Sequence, residues 1–508
     1  MSTDTKTDPA DMTAIEARRL IARRVLSPVE LAQACIARTQ ALNHAVNAVV
    51  ASDFDRTLDE ARAAEAKTST AEPLGLLHGL PFGVKDMIDV TGLPTTFGSP
   101  IFKDNIAVKD DAIVAAMRQA GAVVLGKTNN PEFSAGANTI NAVYGATGNP
   151  HDPMKSAAGS SGGSAAALAT GMAPLCTGSD TGGSLRNPAA FCGVVGFRPS
   201  PGIVPGDTRG MALMPLATSG PMARNVTDAA LMLAALARPD RLDPYTAVID
   251  GRTLWDPMQF ATLPRRDLSS LRIAATEDFG FAMTEHVIRR GFRKRVERLA
   301  PLFGAVEETA PDCSGADRIF AVLRAVSMLG AHHANTLKYP GQFGPNIVAN
   351  VEEGLRYSAL DVAAAMSAQG VYYRNWQRFF ESWDYVLSPA VTISPRDWHE
   401  LYPTQIDGVP TQSYYHWLSL AYASTIPGHP SITIPLGRDE AGMPFGLQIV
   451  GRRNDDLGVL AVAAEIEATV ADDAEFGVPQ VDVPALKTAP ALCSKEGFWG
   501  SASPSSEA

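Results

Sequence analysis

Between residues 155 and 200 the chain is densest in glycine, serine and alanine, yet apolar runs such as AAALAT and AFCGVVGF interrupt it. Flexible linkers share the small-residue bias but lack such runs. Small residues among buried apolar ones let backbone segments approach closely. The stretch therefore reads as tight turns between short helices and strands, and the rest of the fold has to be built around it.

The flanking segments alternate in character. Ser27-Pro28-Val29-Glu30 is a capping box with proline at the first helical position. Residues 53–67, rich in Ala, Glu and Arg, read as a second helix. From Gly79, GLPFGVKDMIDV is apolar and glycine-punctuated, the pattern of a buried strand. Asp110 and Asp111 cap AIVAAMRQA, Gly121 stops that helix, and AVVLG follows as a strand. SITIPLG and FGLQIVG are further strands, before a helix over DDLGVLAVAAEIEATV. Such alternation predicts the α/β class, with a largely buried sheet. Residues 238–425 look less regular, and beyond Asp472 repeated Pro, Ala and Ser predict a tail with little core of its own.

Composition narrows the partners. A total of 43 Lys+Arg against 54 Asp+Glu gives a net charge of −11, which disfavours nucleic acid and anionic membranes as general ligands. No run approaches the ~18 apolar residues of a membrane span. Cys35, Cys176, Cys192, Cys313 and Cys493 form no CxxC pair and are too scattered for a disulfide framework. The polar start MSTDTKTDPADM shows no secretory signal pattern, so a reduced, cytoplasmic protein is the expectation.

Two motif matches fail on context. Gly121 to Thr128 satisfies G-x4-G-K-[ST], but a helix precedes it and a strand run fills its middle, the reverse of a phosphate-binding loop. Gly159 to Gly163 fits G-x-S-x-G with Ser161 as nucleophile, yet a loop-like NPHDPMKSAA precedes it instead of a strand. Histidines for that arrangement lie downstream at 286, 332, 333, 399, 416 and 429.

A third segment carries more. Gly178-Ser179-Asp180-Thr181-Gly182-Gly183-Ser184-Leu185-Arg186 closes the strand APLCTG and opens a short helix. Consecutive glycines and a helix start converge backbone N–H donors beside the Ser184 hydroxyl, which suits an oxyanion or simply a capped anion-binding turn. Lys85 ends an apolar strand and is followed by Asp86, so it is either a partner for a carboxylate or a base. To act as a base near neutral pH its pKa must fall by about three units, which burial can supply.

These pieces fall into order. Lys85 precedes Ser160 by 75 residues, and Ser184 follows Ser160 by 24. Together with SAAGSSGGSAAALATGMAPLCTGSDTGGSLRNPAAFCGVVGFRP, the blocks at 79–86, 126–133, 219–233 and 431–453 resemble the amidase signature family. The resemblance covers most of the chain, is weakest in 240–425 and is absent from the tail. It implies a large mixed twisted sheet with helices on both faces, a single catalytic domain over 1–470 with a variable pocket region at 240–425, and a tail at 471–508.

By the same resemblance Ser184 is the nucleophile, Ser160 the bridging serine in a cis peptide and Lys85 the base. Thr181, Gly182, Gly183 and Ser184 supply the oxyanion donors, and Asp180 and Arg186 hold the turn, unless the latter two are a plain surface ion pair. No metal or organic cofactor is implied. The implied substrates are small aryl or alkyl amides, with esters and carbamates chemically compatible. The alternative is a glutaminase subunit of a tRNA-dependent amidotransferase. Thirteen aromatic residues between Tyr372 and Tyr422, among them Tyr373, Trp376, Trp383, Trp398, Tyr414, Tyr415 and Trp417, either line an aryl-accepting pocket or pack a lid onto the core. The oligomeric state, a homodimer included, stays open.

Overall fold

The computed structural model describes residues 8–492, apart from 71 and 207. Its frame is an 11-stranded sheet. Across the sheet the strands run Val49–Ala51, Val123–Thr128, Pro81–Lys85, Leu175–Asp180, Thr218–Ala223, Val195–Arg198, Ser431–Arg438, Pro444–Val450, Tyr385–Pro389, Arg272–Ala275 and Ala305–Glu308. The sheet is mixed. Pro81–Lys85 is parallel to both of its neighbours, whereas Thr218–Ala223 and Ser431–Arg438 pair antiparallel.

Side chains on a strand alternate between faces. In Tyr385–Pro389, Tyr385 and Leu387 enter one apolar core while Val386 enters another, and Ile273 and Ala274 divide in the same way. The first core is closed by helices such as Asp456–Val470, the second by Ala316–Lys338 and Ala359–Phe379. The sheet is thus covered on both faces, as expected.

Local signals read correctly where capping chemistry is explicit. Ser27 and Glu30 form the reciprocal capping box of Pro28–Val46, and Asp111 caps Ala112–Gln119. The run at 123–128 is a fully buried strand, which disposes of the phosphate-loop match. Two expectations need correction. The region expected to be irregular holds five α-helices, His286–Leu299, Ala316–Lys338, Pro345–Arg356, Ala359–Phe379 and Ser419–Thr425. Glycine and polar residues interrupt their buried faces, as with Gly291 and Arg295 beside Ile288 and Phe292, and Asn350 and Gly354 beside Ile347 and Val351, which obscures the apolar stripe in the sequence. The expected coreless tail does have core contacts: Phe476 and Leu486 are buried in the first core, and the Leu492 amide donates to the His44 carbonyl. Residues 493–508, including Cys493, lie outside the described residues.

Parallel strands point their C-terminal ends the same way. Phe82 pairs with Leu175 and Gly83 with Cys176, so Lys85 and Ser179 emerge side by side at one end of the sheet. In open α/β sheets such an end is where ligands bind. Among the described residues, no helix is long and apolar enough to cross a membrane, and no group of three or more His, Cys, Asp or Glu could hold a metal ion. Cys35, Cys176, Cys192 and Cys313 are buried thiols outside any disulfide.

Candidate active site

Lys85 is fully buried where its strand ends. Its ammonium donates to Ser160 Oγ at 2.7 Å, Ser179 Oγ at 3.0 Å and Ser161 Oγ at 3.1 Å. An ammonium has three N–H donors, and here each meets a hydroxyl. No carboxylate is among these partners. The neighbouring Asp86 instead lies 3.6 Å from Lys127 and accepts from Thr96, which ends the ion-pair reading of Lys85. Burial disfavours the charged amine and outweighs the more distant Asp180 carboxylate, bringing Lys85 down from 10.5 to about 7. At neutral pH a large share of Lys85 is therefore uncharged and can accept a proton.

The serines arrive by close backbone packing. The Gly159–Ser160 peptide is cis, as the resemblance implied. Ser161 precedes the helix Gly162–Ala169, and a Cβ on Gly163 would come within 2.2 Å of the Asn129 amide nitrogen. Only glycine permits that approach. Ser161 is buried, and its hydroxyl is tied to Lys85 and to the backbone of Ser179. The hydroxyls of Ser160, Ser161 and Ser179 meet Lys85 and not a histidine, which removes the nucleophile-elbow reading. Sequence reasoning does not single out Ser179, although it stands within the GSDTGGS run.

Asp180 organises the turn that carries Ser184. Its carboxylate accepts from the Gly183 amide at 2.9 Å, the Leu185 amide at 3.2 Å and two Arg186 nitrogens, each at 3.0 Å. Arg198 adds a bond at 3.2 Å. Burial alone would raise this carboxyl, but Arg186 and Arg198 together hold it well below the usual carboxylate range. Arg186 is itself fully buried and continues to Gln448 Oε1 at 2.6 Å, so the surface ion-pair reading fails. Arg198 escapes a sequence reading, because nothing in GVVGFRP announces a partner 18 residues away. Replacing Asp180 by asparagine leaves two buried guanidinium groups without their counter-charge. The expected loss is about 3–5 kcal/mol of stability, read as a lower urea midpoint.

Ser184 is half-buried and lines a cavity with Ser160, Ser179, Thr181 and Gly182. One expectation changes here. The Gly183 N–H is committed to Asp180, whereas the Thr181, Gly182 and Ser184 amides donate to no group among the described residues. The Thr181, Gly182 and Ser184 amides are thus the ones left free to donate, and Gly183 is not.

Comparison with known proteins identifies the family. The Amidase family model matches residues 30–460. The chain belongs to the amidase signature family. An acylamidase of Rhodococcus erythropolis is 33% identical over 90% of this chain and 95% of its own length. A glutamyl-tRNA(Gln) amidotransferase subunit from Acidothermus cellulolyticus is 33% identical over 90% of this chain and 94% of its own. The crystal structure of a bacterial aryl acylamidase of the same family superposes with a TM-score of 0.83 at 27% identity, covering 90% of this chain and 96% of that one.

The amidase's cavity has a volume of about 360 Å³. Its walls combine Phe133, part of the segment between Thr208 and Ser219 with Arg209, Met211 and Met214, and one face of the helix Ala316–Lys338, including Phe320, Arg324 and Met328. Of the thirteen aromatic residues from Tyr372 to Tyr422, Tyr414 and Tyr415 line it. Tyr372, Trp376, Trp383 and Trp417 are buried in the second core, and Trp398 in a small separate one. Aromatic density marks lid packing more than pocket lining. The segment 206–219 is silent in the sequence because Gly206, Thr208 and Arg209 carry no periodic signal.

Proposed function

We propose that this amidase hydrolyses small aryl and alkyl amides through an acyl-enzyme on Ser184. The observation that carries the reading is the buried Lys85 amine, surrounded by hydroxyls and free of any carboxylate. Neutral Lys85 takes the Ser160 proton while Ser160 takes that of Ser184, whose Oγ bonds to the carbonyl carbon. The Thr181, Gly182 and Ser184 amides face the oxygen that gains charge. As the C–N bond breaks, the departing amine receives its proton back along the same chain. Water then gives its proton to the chain and attacks the ester carbonyl, releasing the acid and restoring Ser184. The apolar wall and the acylamidase relative support aryl amides, and the same chemistry extends to esters and carbamates. The unpaired buried thiols suit a reducing compartment, in keeping with a cytoplasmic enzyme.

A fluorophosphonate probe tests the nucleophile. Peptide mapping should find the adduct on Ser184, and an adduct on Ser161 or Ser160 overturns the assignment. Turnover of acetanilides by the purified chain supports a free hydrolase. If instead glutamine is cleaved only in the presence of other subunits, the amidotransferase reading takes over. The pH profile supplies a further prediction. With Lys85 at about 7 in the free enzyme, kcat/KM should fall about tenfold for each pH unit below 6 and level off above 8. A profile that rises only above pH 10 would rule out a pre-lowered base.

A further inference from the structure

Three hydroxyls surround Lys85, but a proton relay works only if the base offers its lone pair to the right one. An uncharged lysine keeps two N–H donors and one lone pair. The path through Ser160 needs that lone pair to face Ser160, so Ser161 and Ser179 must both accept from Lys85. Whether they do depends on where each sends its own proton.

Ser161 has the backbone of Ser179 beside it. Its oxygen accepts from the Ser179 amide at 3.4 Å, and its hydroxyl donates to the Ser179 carbonyl at 3.5 Å. Ser179 has a different outlet. Its hydroxyl donates to the thioether sulfur of Met87 at 3.3 Å, while its oxygen receives the Lys85 N–H at 3.0 Å. Ser134 donates to the same sulfur at 3.1 Å. Met87 lies two residues beyond Lys85, in the turn that follows its strand, and lines the cavity with Ser134 and Ser179. A thioether accepts but cannot donate. A hydroxyl whose proton it holds is left with its oxygen for the amine.

We infer that Met87 is a positioning residue: its sulfur takes the Ser179 proton, so that Ser179 accepts from Lys85 and the lone pair of the uncharged amine is left to Ser160. The inference rests on the hydrolytic reading above and deepens it. Without the sulfur, Ser179 turns its proton onto the lone pair, and uncharged Lys85 is divided between two forms. One of them cannot take the Ser160 proton. This competing form draws only on uncharged Lys85, because an ammonium has no lone pair. Its signature is therefore a dependence on pH.

Met87→Leu removes the acceptor and keeps the bulk. With 4-nitroacetanilide, its kcat/KM should be about fivefold below wild type above pH 8 and within about 1.5-fold of it at pH 6, one weak hydrogen bond setting the factor. The midpoint of the acid limb should fall by about 0.7 pH unit, the same fivefold factor expressed as a pKa. The Asp180 carboxylate, which acts on Lys85, is the same in every variant. A side chain that only packs against substrate would lower the rate by one factor at every pH and leave the limb in place, and that result overturns the inference. In a Ser179→Ala background the competing hydroxyl is gone, so adding Met87→Leu should change kcat/KM by less than about twofold at any pH. An equal loss in both backgrounds also overturns it. Urea unfolding at pH 5.5 and 8.5 reads the same equilibrium without substrate. The competing form stabilises only uncharged Lys85, so Met87→Leu should gain on wild type as the pH rises, by about fivefold in the unfolding constant. The gain should vanish in the Ser179→Ala background. If the wild type cleaves no amide, the hydrolytic reading fails, while the urea comparison still decides Met87. Equal pH dependence in the two proteins counts against it.

Discussion

Ser184→Ala should lower kcat/KM for any anilide substrate by about 10⁴-fold or more, while Ser161→Ala should retain measurable turnover. The asymmetry follows from what each hydroxyl touches. Ser184 lines the cavity beside the free Thr181 and Gly182 amides, so a carbonyl bound there meets nucleophile and donors together. Ser161 is enclosed, bonded to Lys85 at 3.1 Å and to the Ser179 backbone. Its loss leaves one Lys85 N–H without an acceptor, a misplacement worth roughly 10–100-fold rather than the reaction itself. Ser179→Ala belongs in the same class, since Ser179 accepts from Lys85 at 3.0 Å. Initial rates for the three variants, with circular dichroism to check folding, rank them. If Ser184→Ala keeps its activity and Ser161→Ala loses it, the nucleophile has been misassigned.

Legibility in the sequence tracks the range of the interaction. Helix caps at Ser27 and Asp111 are decided within three residues, and both are readable. Lys85, Ser160 and Ser184 become readable together through ordered blocks that resemble a known family, although each alone is ambiguous. The partners that lie across the sheet are not readable. Ser179 reaches Lys85 because two parallel strands end at the same level, a matter of register that no local pattern encodes. Arg198 likewise meets Asp180 across the strand Thr218–Ala223 that separates theirs. Gly183 shows a different limit. Glycine spacing tells that a turn of inward amides exists, but the direction of each N–H depends on which one the Asp180 carboxylate captures. The aromatic segment shows a third. Composition predicts that rings are buried, not which of two sides of a helix a cavity opens on.

Lys85→Met should abolish turnover and also change how stability depends on pH. In the unfolded chain a lysine keeps its proton up to about 10.4, whereas in the fold Lys85 gives it up near 7. Between those values unfolding takes up a proton, so raising the pH favours the folded wild type by about 1.4 kcal/mol per pH unit. Below pH 7 both states are protonated and the cost of the buried ammonium is present in full, on the order of 4–5 kcal/mol. Methionine has no such term. The hydroxyls of Ser160, Ser161 and Ser179 lose their partner in the variant, but that penalty does not vary with pH and cancels in the comparison. The measurement is urea unfolding of both proteins at pH 7, 8 and 9. The stability of the wild type relative to Lys85→Met should climb by about 1 kcal/mol from pH 7 to 8 and by about 1.3 kcal/mol from pH 8 to 9. Parallel curves would mean that Lys85 titrates as an ordinary lysine in the fold. The proton relay would then lose its base, however well the three hydroxyls are placed.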